Sequence, residues 1–275
     1  MISSWQTFTR GEIMVRVYAP AEEQKAASAT CYIDEQIGRR YTRCKLDNFD
    51  ATGDKSEEKL QAVEECRSYV NFFAKHFEAG RSLVLVGPKG TGKDHLLSAV
   101  VREIARRIGR PGAVVFRDGL TLFAEIKEQY NTQAPIDLVA KYVSPMLFAV
   151  SDPVPPIGAL SQHDQSMMLR IIDGRYRQCH PLAVTINCKS RQEINDRLGA
   201  QAADRLFDCA VVVACNWESY RKPFGGLVDS EAAAEDQAIT APITRPAMAE
   251  SIADHPVMAK AMAGRIPVTF RKVPT

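Results

Sequence analysis

Short apolar runs recur through the middle of the chain, at residues 82–86, Ala113–Phe116, Met146–Val150, Leu182–Ile186 and Ala210–Ala214. Between them lie stretches of roughly thirty residues whose apolar positions mostly follow a helical period. Runs this short read as buried strands, and the stretches between them as helices that cover the strands. Repeated strand–helix–strand units place parallel strands in one sheet, so the pattern predicts an α/β fold with a central parallel five-stranded sheet flanked by helices.

The helical stretches carry start and stop signals. Leu96, Leu97, Val100, Val101, Ile104 and Ile108 fall on one face, with Arg102, Glu103, Arg106 and Arg107 on the other, and Gly109 and Pro111 end the pattern. Capping boxes at Ser161/Asp164 and Ser190/Glu193 open two more helices. A further helix is expected from about Ser56 to Phe77, leading into the first strand. The first thirty residues show no clear period, and the Ala-rich segment 21–30 reads as a short helix or a linker.

The loop after the first strand carries the chemistry. Residues 82–97 read SLVLVGPKGTGKDHLL, an apolar run, a glycine-rich turn and the opening of a helix. Gly87, Gly90 and Gly92 let the backbone turn its N–H groups inward, Lys93 offers a point charge to terminal phosphates, and the helix N-terminus adds its dipole. Gly87, Pro88, Lys89, Gly90, Thr91, Gly92, Lys93, Asp94 and His95 are the expected binding residues, and ATP with Mg²⁺ is the expected guest. The usual pattern places Ser or Thr after the lysine as a metal ligand, whereas this chain has Asp94.

Hydrolysis also needs a strand ending in a carboxylate that orients the metal, then a carboxylate that activates water. The corresponding stretch is MLFAVSDP. If the apolar run ends at Val150, Ser151 fills the metal slot and Asp152 the base slot; one residue further, Asp152 orients the metal and Pro153 fills the base slot. Either register lacks one carboxylate, so binding is expected to be sound and turnover impaired. Asp94 and Asp152 are the candidate metal ligands, with Asp94 supplying the carboxylate that Ser151 lacks.

Composition narrows the class without changing it. The chain has 275 residues, 45% of them hydrophobic, and a net charge of +2, so nucleic-acid contact has to come from local patches. Seven scattered cysteines without a Cys-x-x-Cys pair suggest neither a disulfide framework nor a zinc ribbon. Neither a membrane span nor a secretory leader is evident, which makes the cytoplasm the expected compartment.

Four motifs in one unbroken order carry a resemblance: GPKGTGKDHL, the strand ending Thr185-Ile186-Asn187, LGAQAADRL at 198–206 and NWESYR at 216–221. Together they resemble the DnaC/IstB group of AAA+ ATPases, bacterial replicative-helicase loaders and transposition helpers. DnaC-type members also carry a non-hydroxyl residue before the His-Leu pair. The resemblance implies an AAA+ type P-loop domain over residues 45–221, with residues 1–44 as an N-terminal arm of unassigned structure. Residues 222–275 form a low-complexity tail, with a short docking helix expected near Val257–Met262 and no evident C-terminal helical lid domain.

The resemblance further implies Asn187 as the polar sensor of the γ-phosphate or attacking water and Arg205 as an arginine finger acting in a neighbouring subunit, beside Asp152 as the candidate catalytic carboxylate, where the family has consecutive acids and this chain has Ser151-Asp152. It implies a homo-oligomer, a replicative helicase or a transposase as partner, and single-stranded DNA as a further ligand. The residue-level alternative for Arg205 is a solvated arginine paired with Asp204 or Asp208. Two basic clusters, Arg39, Arg40, Arg43 and Lys45 around Tyr41, and Arg102, Arg106, Arg107 and Arg110, suit a single-strand groove or an ordinary solvated face. A non-hydrolysing nucleotide-binding interaction module is the competing reading.

Overall fold

The computed structural model describes residues 5–10, 13–18, 21–130, 138–155, 158–188 and 190–221, all within the first of two units into which the chain divides at residue 222. The tail and its expected helix near Val257–Met262 lie outside the described residues.

The N-terminal arm begins as an antiparallel hairpin of β1 (Trp5–Arg10) and β2 (Ile13–Tyr18), with Trp5 opposite Tyr18. These segments lack a clean period but are rich in aromatic and β-branched residues, which favour the pleat. The Ala-rich segment is part of a long helix, α1 (Ala21–Ile37), which buries Ala29, Ile33 and Ile37 at successive i+4 spacing.

Two polar ties hold α1 on the domain. Arg102 of α4 (Lys93–Ile108) pairs with Asp34 at 2.6 Å. Gln36 Oε1 accepts from the Phe116 N–H at 3.0 Å and from Arg117 at 2.7 Å, both on β4 (Val114–Asp118).

The single helix expected over Ser56–Phe77 is two, α2 (Ser56–Asn71) and α3 (Phe73–Glu78). The break is at Phe72, which leaves helical geometry at φ −106° while its N–H still reaches Ser68 O.

The sheet has five parallel strands in the order β4, β5 (Leu147–Ser151), β6 (Leu182–Ile186), β3 (Leu83–Val86), β7 (Val211–Ala214). Alternate residues separate the two faces. Leu83 and Leu85 join a core with Ile33, Val63, Cys66 and Leu97 from α1, α2 and α4. Val84, Phe148 and Val150 join the opposite core with the second group of helices: α5 (Gly119–Tyr130), α6 (Leu138–Val143), α7 (Gln162–Arg177), α8 (Arg191–Leu198) and α9 (Ala200–Phe207).

On α4, Leu96, Leu97, Val100, Val101 and Ile104 are all buried. Each is worth about 1.5–3 kcal/mol relative to exposure. The expected caps are made, with Ser161 accepting from the Asp164 N–H and Ser190 from the Glu193 N–H, both at 3.1 Å.

One charge sits deep in this structure. Arg175 of α7 is fully buried, and its hydrogen-bond partners among the described residues are carbonyls and not carboxylates. Its guanidinium donates to the carbonyls of Tyr142 (2.7 Å), Val143 (3.2 Å), Pro145 (3.1 Å) and Pro181 (2.6 Å). It thereby ties the segment entering β5 to the segment entering β6.

No helix among the described residues is long and apolar enough to cross a membrane. All seven cysteines are free; Cys44, Cys66, Cys188 and Cys215 are buried and the other three exposed.

Candidate functional site

The position of β3 between β6 and β7 places the loop at 87–92 at the C-terminal ends of those strands, where parallel sheets gather their ligands. Gly87, Gly90 and Gly92 all have positive φ, at 154°, 84° and 85°. A Cβ on Gly87 would stand 2.3 Å from the Cys215 carbonyl, and one on Gly90 1.9 Å from Ser219 Oγ. The first obstacle is backbone, held in place because the Cys215 N–H donates to Val86 O at 2.7 Å.

Lys93 is 4% exposed and folds back on its own loop, donating to Gly87 O at 2.9 Å, Pro88 O at 2.5 Å and Thr91 Oγ1 at 3.3 Å. Burial pulls its ammonium below the ordinary lysine value, opposed by the nearby carboxylates of Asp94 and Asp152. These carbonyls occupy the donors that a phosphate would take.

A cavity of about 710 Å³ opens above the loop. Lys89, Gly90, Gly92, Lys93, Asp94 and His95 form its floor, while Gly87, Pro88 and Thr91 lie behind, around the lysine. Asp152 and Asn187 close one end. Arg40, Tyr41, Phe49, Tyr220 and Arg221 form the rim. His95 is a packing residue as well as a lining one, since its Nε2 lies 2.9 Å from Lys45 O and its ring meets Phe49 edge-on.

The side chain opposite Asp94 is Ser151, the last residue of β5, whose hydroxyl donates to Asp94 Oδ1 at 2.7 Å. Thr185 of β6 donates to the same oxygen at 3.1 Å and accepts the Asp152 N–H at 3.0 Å. β5 runs to Ser151, one residue past Val150, and it is the Ser151 hydroxyl that meets Asp94, with Asp152 following just outside the strand.

Asp152 stands at φ +47°, outside the sheet, and Asn187 donates its amide to Oδ2 at 2.5 Å. Its Oδ1 is buried without a hydrogen-bond partner among the described residues. Burial pushes this carboxyl above the usual carboxylate range; the Asn187 hydrogen bond opposes the shift and the charge of Asp94 adds to it.

Arg205 does not line the cavity. It lies on α9 and pairs with Asp173 of α7 at 3.1 Å, not with Asp204 or Asp208. Asp208 is engaged elsewhere, accepting from the Tyr176 hydroxyl at 2.8 Å.

The two basic clusters part company. Arg102 pairs with Asp34, and Arg106 and Arg107 both pair with Glu103. Arg39, Arg40 and Arg43 are all exposed, and of these Arg40, with Tyr41, belongs to the cavity rim.

Several residues here stand in the quoted motifs without a role read from the sequence. Thr185 was visible as a polar residue in an otherwise apolar strand, and it is 1% exposed. Trp217 is 3% exposed and donates its indole N–H to Thr91 O at 2.9 Å. Tyr220 donates its N–H to Gly90 O at 2.9 Å, which straps residues 216–221 over the loop.

Comparison with known proteins agrees with this geometry. Residues 45–224 match the family described as IstB-like ATP binding protein. The chain is 23% identical over 188 residues to the replicative helicase loader DnaC of Escherichia coli K12, covering 68% of this chain and 72% of that one. It is 25% identical over 184 residues to an insertion sequence IS232 ATP-binding protein of Bacillus thuringiensis subsp. berliner, covering 65% and 68%.

In structure it is similar to the DnaC helicase loader (TM-score 0.57, 21% identity, 64% of this chain and 99% of that one). It is also similar to AMPPCP-bound DnaA from Aquifex aeolicus (TM-score 0.51, 17% identity, 64% and 51%). These structural likenesses establish the P-loop AAA+ fold. With residues 45–224, well over half of its length, matched by one family and its loop, sheet order and strand-end residues in the arrangement described above, the chain belongs to the IstB-like ATP-binding proteins.

Proposed function

We infer that the cavity binds ATP with Mg²⁺, and that ATP acts as an assembly switch on a DNA-bound partner, a replicative helicase or a transposase, with slow turnover. The observation that carries this reading is the closed set of contacts between loop and strand ends: Lys93 on the loop carbonyls, Asp94 on Ser151, and Asp152 on Asn187. On ATP binding, Lys93 exchanges carbonyl partners for β- and γ-phosphate oxygens.

The residues present fit a divalent cation. Asp94 takes the Ser151 and Thr185 hydrogen bonds on Oδ1, which leaves its Oδ2 for the ion. No cluster of three or more His, Cys, Asp or Glu exists among the described residues, so the remaining ligands have to be nucleotide oxygens and water. When bound, Mg²⁺ neutralises charge on the phosphates.

The chain's own contribution to hydrolysis is Asp152 as proton acceptor at Oδ1, with Asn187 fixing Oδ2. A carboxylate held off the strand at positive φ, with a single tether, is a poorly aimed base, which supports slow turnover. Arg205 then acts in a second copy of the chain, leaving Asp173 for the neighbour's phosphates. The names of the similar proteins support a helicase loader or a transposition helper equally.

Sedimentation velocity with ATP, with ADP and without nucleotide tests the switch. ATP alone is expected to shift the full chain to a larger species, and an unchanged distribution in all three rejects it. The same Asp152 geometry favours a second reading, a non-hydrolysing module whose nucleotide only shapes an interface. Single-turnover phosphate release separates the two.

A further inference from the structure

We propose that the hydroxyl and the carboxylate that serve the divalent cation in P-loop sites have exchanged places in this chain. Asp94 on α4 supplies the carboxylate ligand, and Ser151 at the end of β5 supplies the hydroxyl that orients it. The proposal rests on the reading of the cavity as an ATP site.

In the usual arrangement a hydroxyl follows the loop lysine and binds the metal, and a carboxylate at the facing strand end steers it. Both positions depart from that pattern here, and they depart reciprocally. The 2.7 Å hydrogen bond from Ser151 Oγ to Asp94 Oδ1 spans the two positions with donor and acceptor reversed. The sum is unchanged at one negative charge and one hydroxyl. Either substitution without the other changes that sum. Two hydroxyls leave the cation without a counter-charge, and two carboxylates at hydrogen-bond distance repel until one takes a proton.

The surroundings are built to fix Asp94 as a ligand. Thr185, almost fully buried, adds a second hydroxyl to Oδ1 at 3.1 Å, and its own oxygen is anchored by the Asp152 N–H. Two donors on one carboxylate oxygen set the plane of the group and leave Oδ2, which accepts no hydrogen bond among the described residues. Outer hydrogen bonds of this kind orient metal ligands elsewhere. Without a cation, Asp94 on the first turn of α4 would face the negative phosphates directly, which weakens nucleotide binding. An exchanged site therefore has its own signature: ATP affinity depends steeply on Mg²⁺, and removing the Asp94 charge helps metal-free ATP while harming Mg²⁺-ATP.

The test is titration of a fluorescent ATP analogue into the full-length chain, in Mg²⁺ and in EDTA, with Mn²⁺ binding to the nucleotide complex followed by electron paramagnetic resonance. Wild type is compared with Asp94→Asn, Asp94→Thr and the double variant Asp94→Thr/Ser151→Asp. Mg²⁺ is expected to tighten wild-type binding about tenfold or more, an enhancement that both single variants lose and the double variant regains.

Asp94→Asn keeps the size and the hydrogen-bond acceptor, so it decides the matter if the bulkier changes do not fold. Retained enhancement in Asp94→Asn, or tighter Mg²⁺-ATP binding by it than by wild type, overturns the exchange. A folded double variant no better than Asp94→Thr overturns it too. Wild type that binds ATP equally in both buffers overturns the exchange alone, and wild type that binds ATP in neither removes the ATP reading beneath it.

Discussion

The indole N–H of Trp217 donates to the carbonyl oxygen of Thr91 at 2.9 Å, tying the strap at 216–221 to the loop from behind. Phe49 stands edge-on to the Trp217 ring at a centroid separation of 6.2 Å and to Tyr220 at 5.8 Å, so the same cluster reaches the cavity rim. Nucleotide binding is therefore expected to alter Trp217 emission. Trp217→Phe should abolish that signal, with Trp5 as the remaining indole, and weaken ATP binding about fivefold, the worth of one neutral hydrogen bond. An emission change that persists in the variant excludes the strap as its origin.

Lys93 is the loop's buried cation, already surrounded by acceptors that ATP can replace. Lys93→Ala is expected to lower ATP affinity about a hundredfold, the loss of charged hydrogen bonds to phosphate. Calorimetric titration of the folded variant checks this, and wild-type affinity would remove the cradle from the argument.

Asp152 carries a stability cost with a definite pH dependence. Its folded-state carboxyl titrates above the unfolded value because it is buried, so the folded chain holds the proton more tightly, and stability falls as pH rises through that window. Asp152→Asn removes the charge and tolerates positive φ. The variant should melt higher than wild type at neutral pH, with the gap closing as pH falls toward the ordinary aspartate range. It should also lose any ATP turnover. Parallel melting curves at neutral and acid pH measure the first effect, and a gap that widens on acidification contradicts it.

Arg205 has two possible occupations, its Asp173 partner and a neighbour's nucleotide. Mixing Arg205→Ala with Lys93→Ala protein should restore part of the turnover that each lacks, because some composite sites then hold an intact lysine and an intact finger. Asp173→Asn, which frees Arg205 without deleting it, should keep turnover. Equal loss in Arg205→Ala and Asp173→Asn would assign the arginine to that ion pair alone.

Arg39 and Arg43 are exposed and lie outside the cavity lining, which Arg40 joins. Their joint replacement by Ala is expected to lower the salt dependence of single-strand DNA binding by about 0.7 in the log–log slope per lost phosphate contact. Fluorescence anisotropy over a salt series reads the slope directly, and an unchanged slope rejects the contacts.

The sheet was legible because five apolar runs with helical spacers leave little choice of topology, and the loop because its glycines and lysine have one shared use. Strand limits moved by a residue or two: β5 runs to Ser151, and its hydroxyl meets Asp94 there. Helix α1 was harder to read because its buried stripe is only Ala29, Ile33 and Ile37, and the ties through Asp34 and Gln36 reach residues far along the chain. The cavity rim was invisible for a similar reason, since Tyr41, Phe49 and Tyr220 come from irregular segments without a period. Asp173 was missed as the partner of Arg205 because adjacency in sequence pointed to Asp204 and Asp208, whereas helix packing brings α7 beside α9.

The guanidinium of Arg175 acts as a common datum for two strands. It grips the approach to β5 and the approach to β6 at the pole opposite the cavity, and each strand then runs five residues, about 16 Å, to the site. Ser151 ends one strand and Asp152 follows it, Thr185 lies in the other and Asn187 follows that one, and all four have to arrive at matching heights to meet as they do. Carbonyl oxygens do not titrate, so acid cannot loosen this grip as it loosens a carboxylate pair. The levelling of the two strands is thus insulated from the protonation events that act at their far ends.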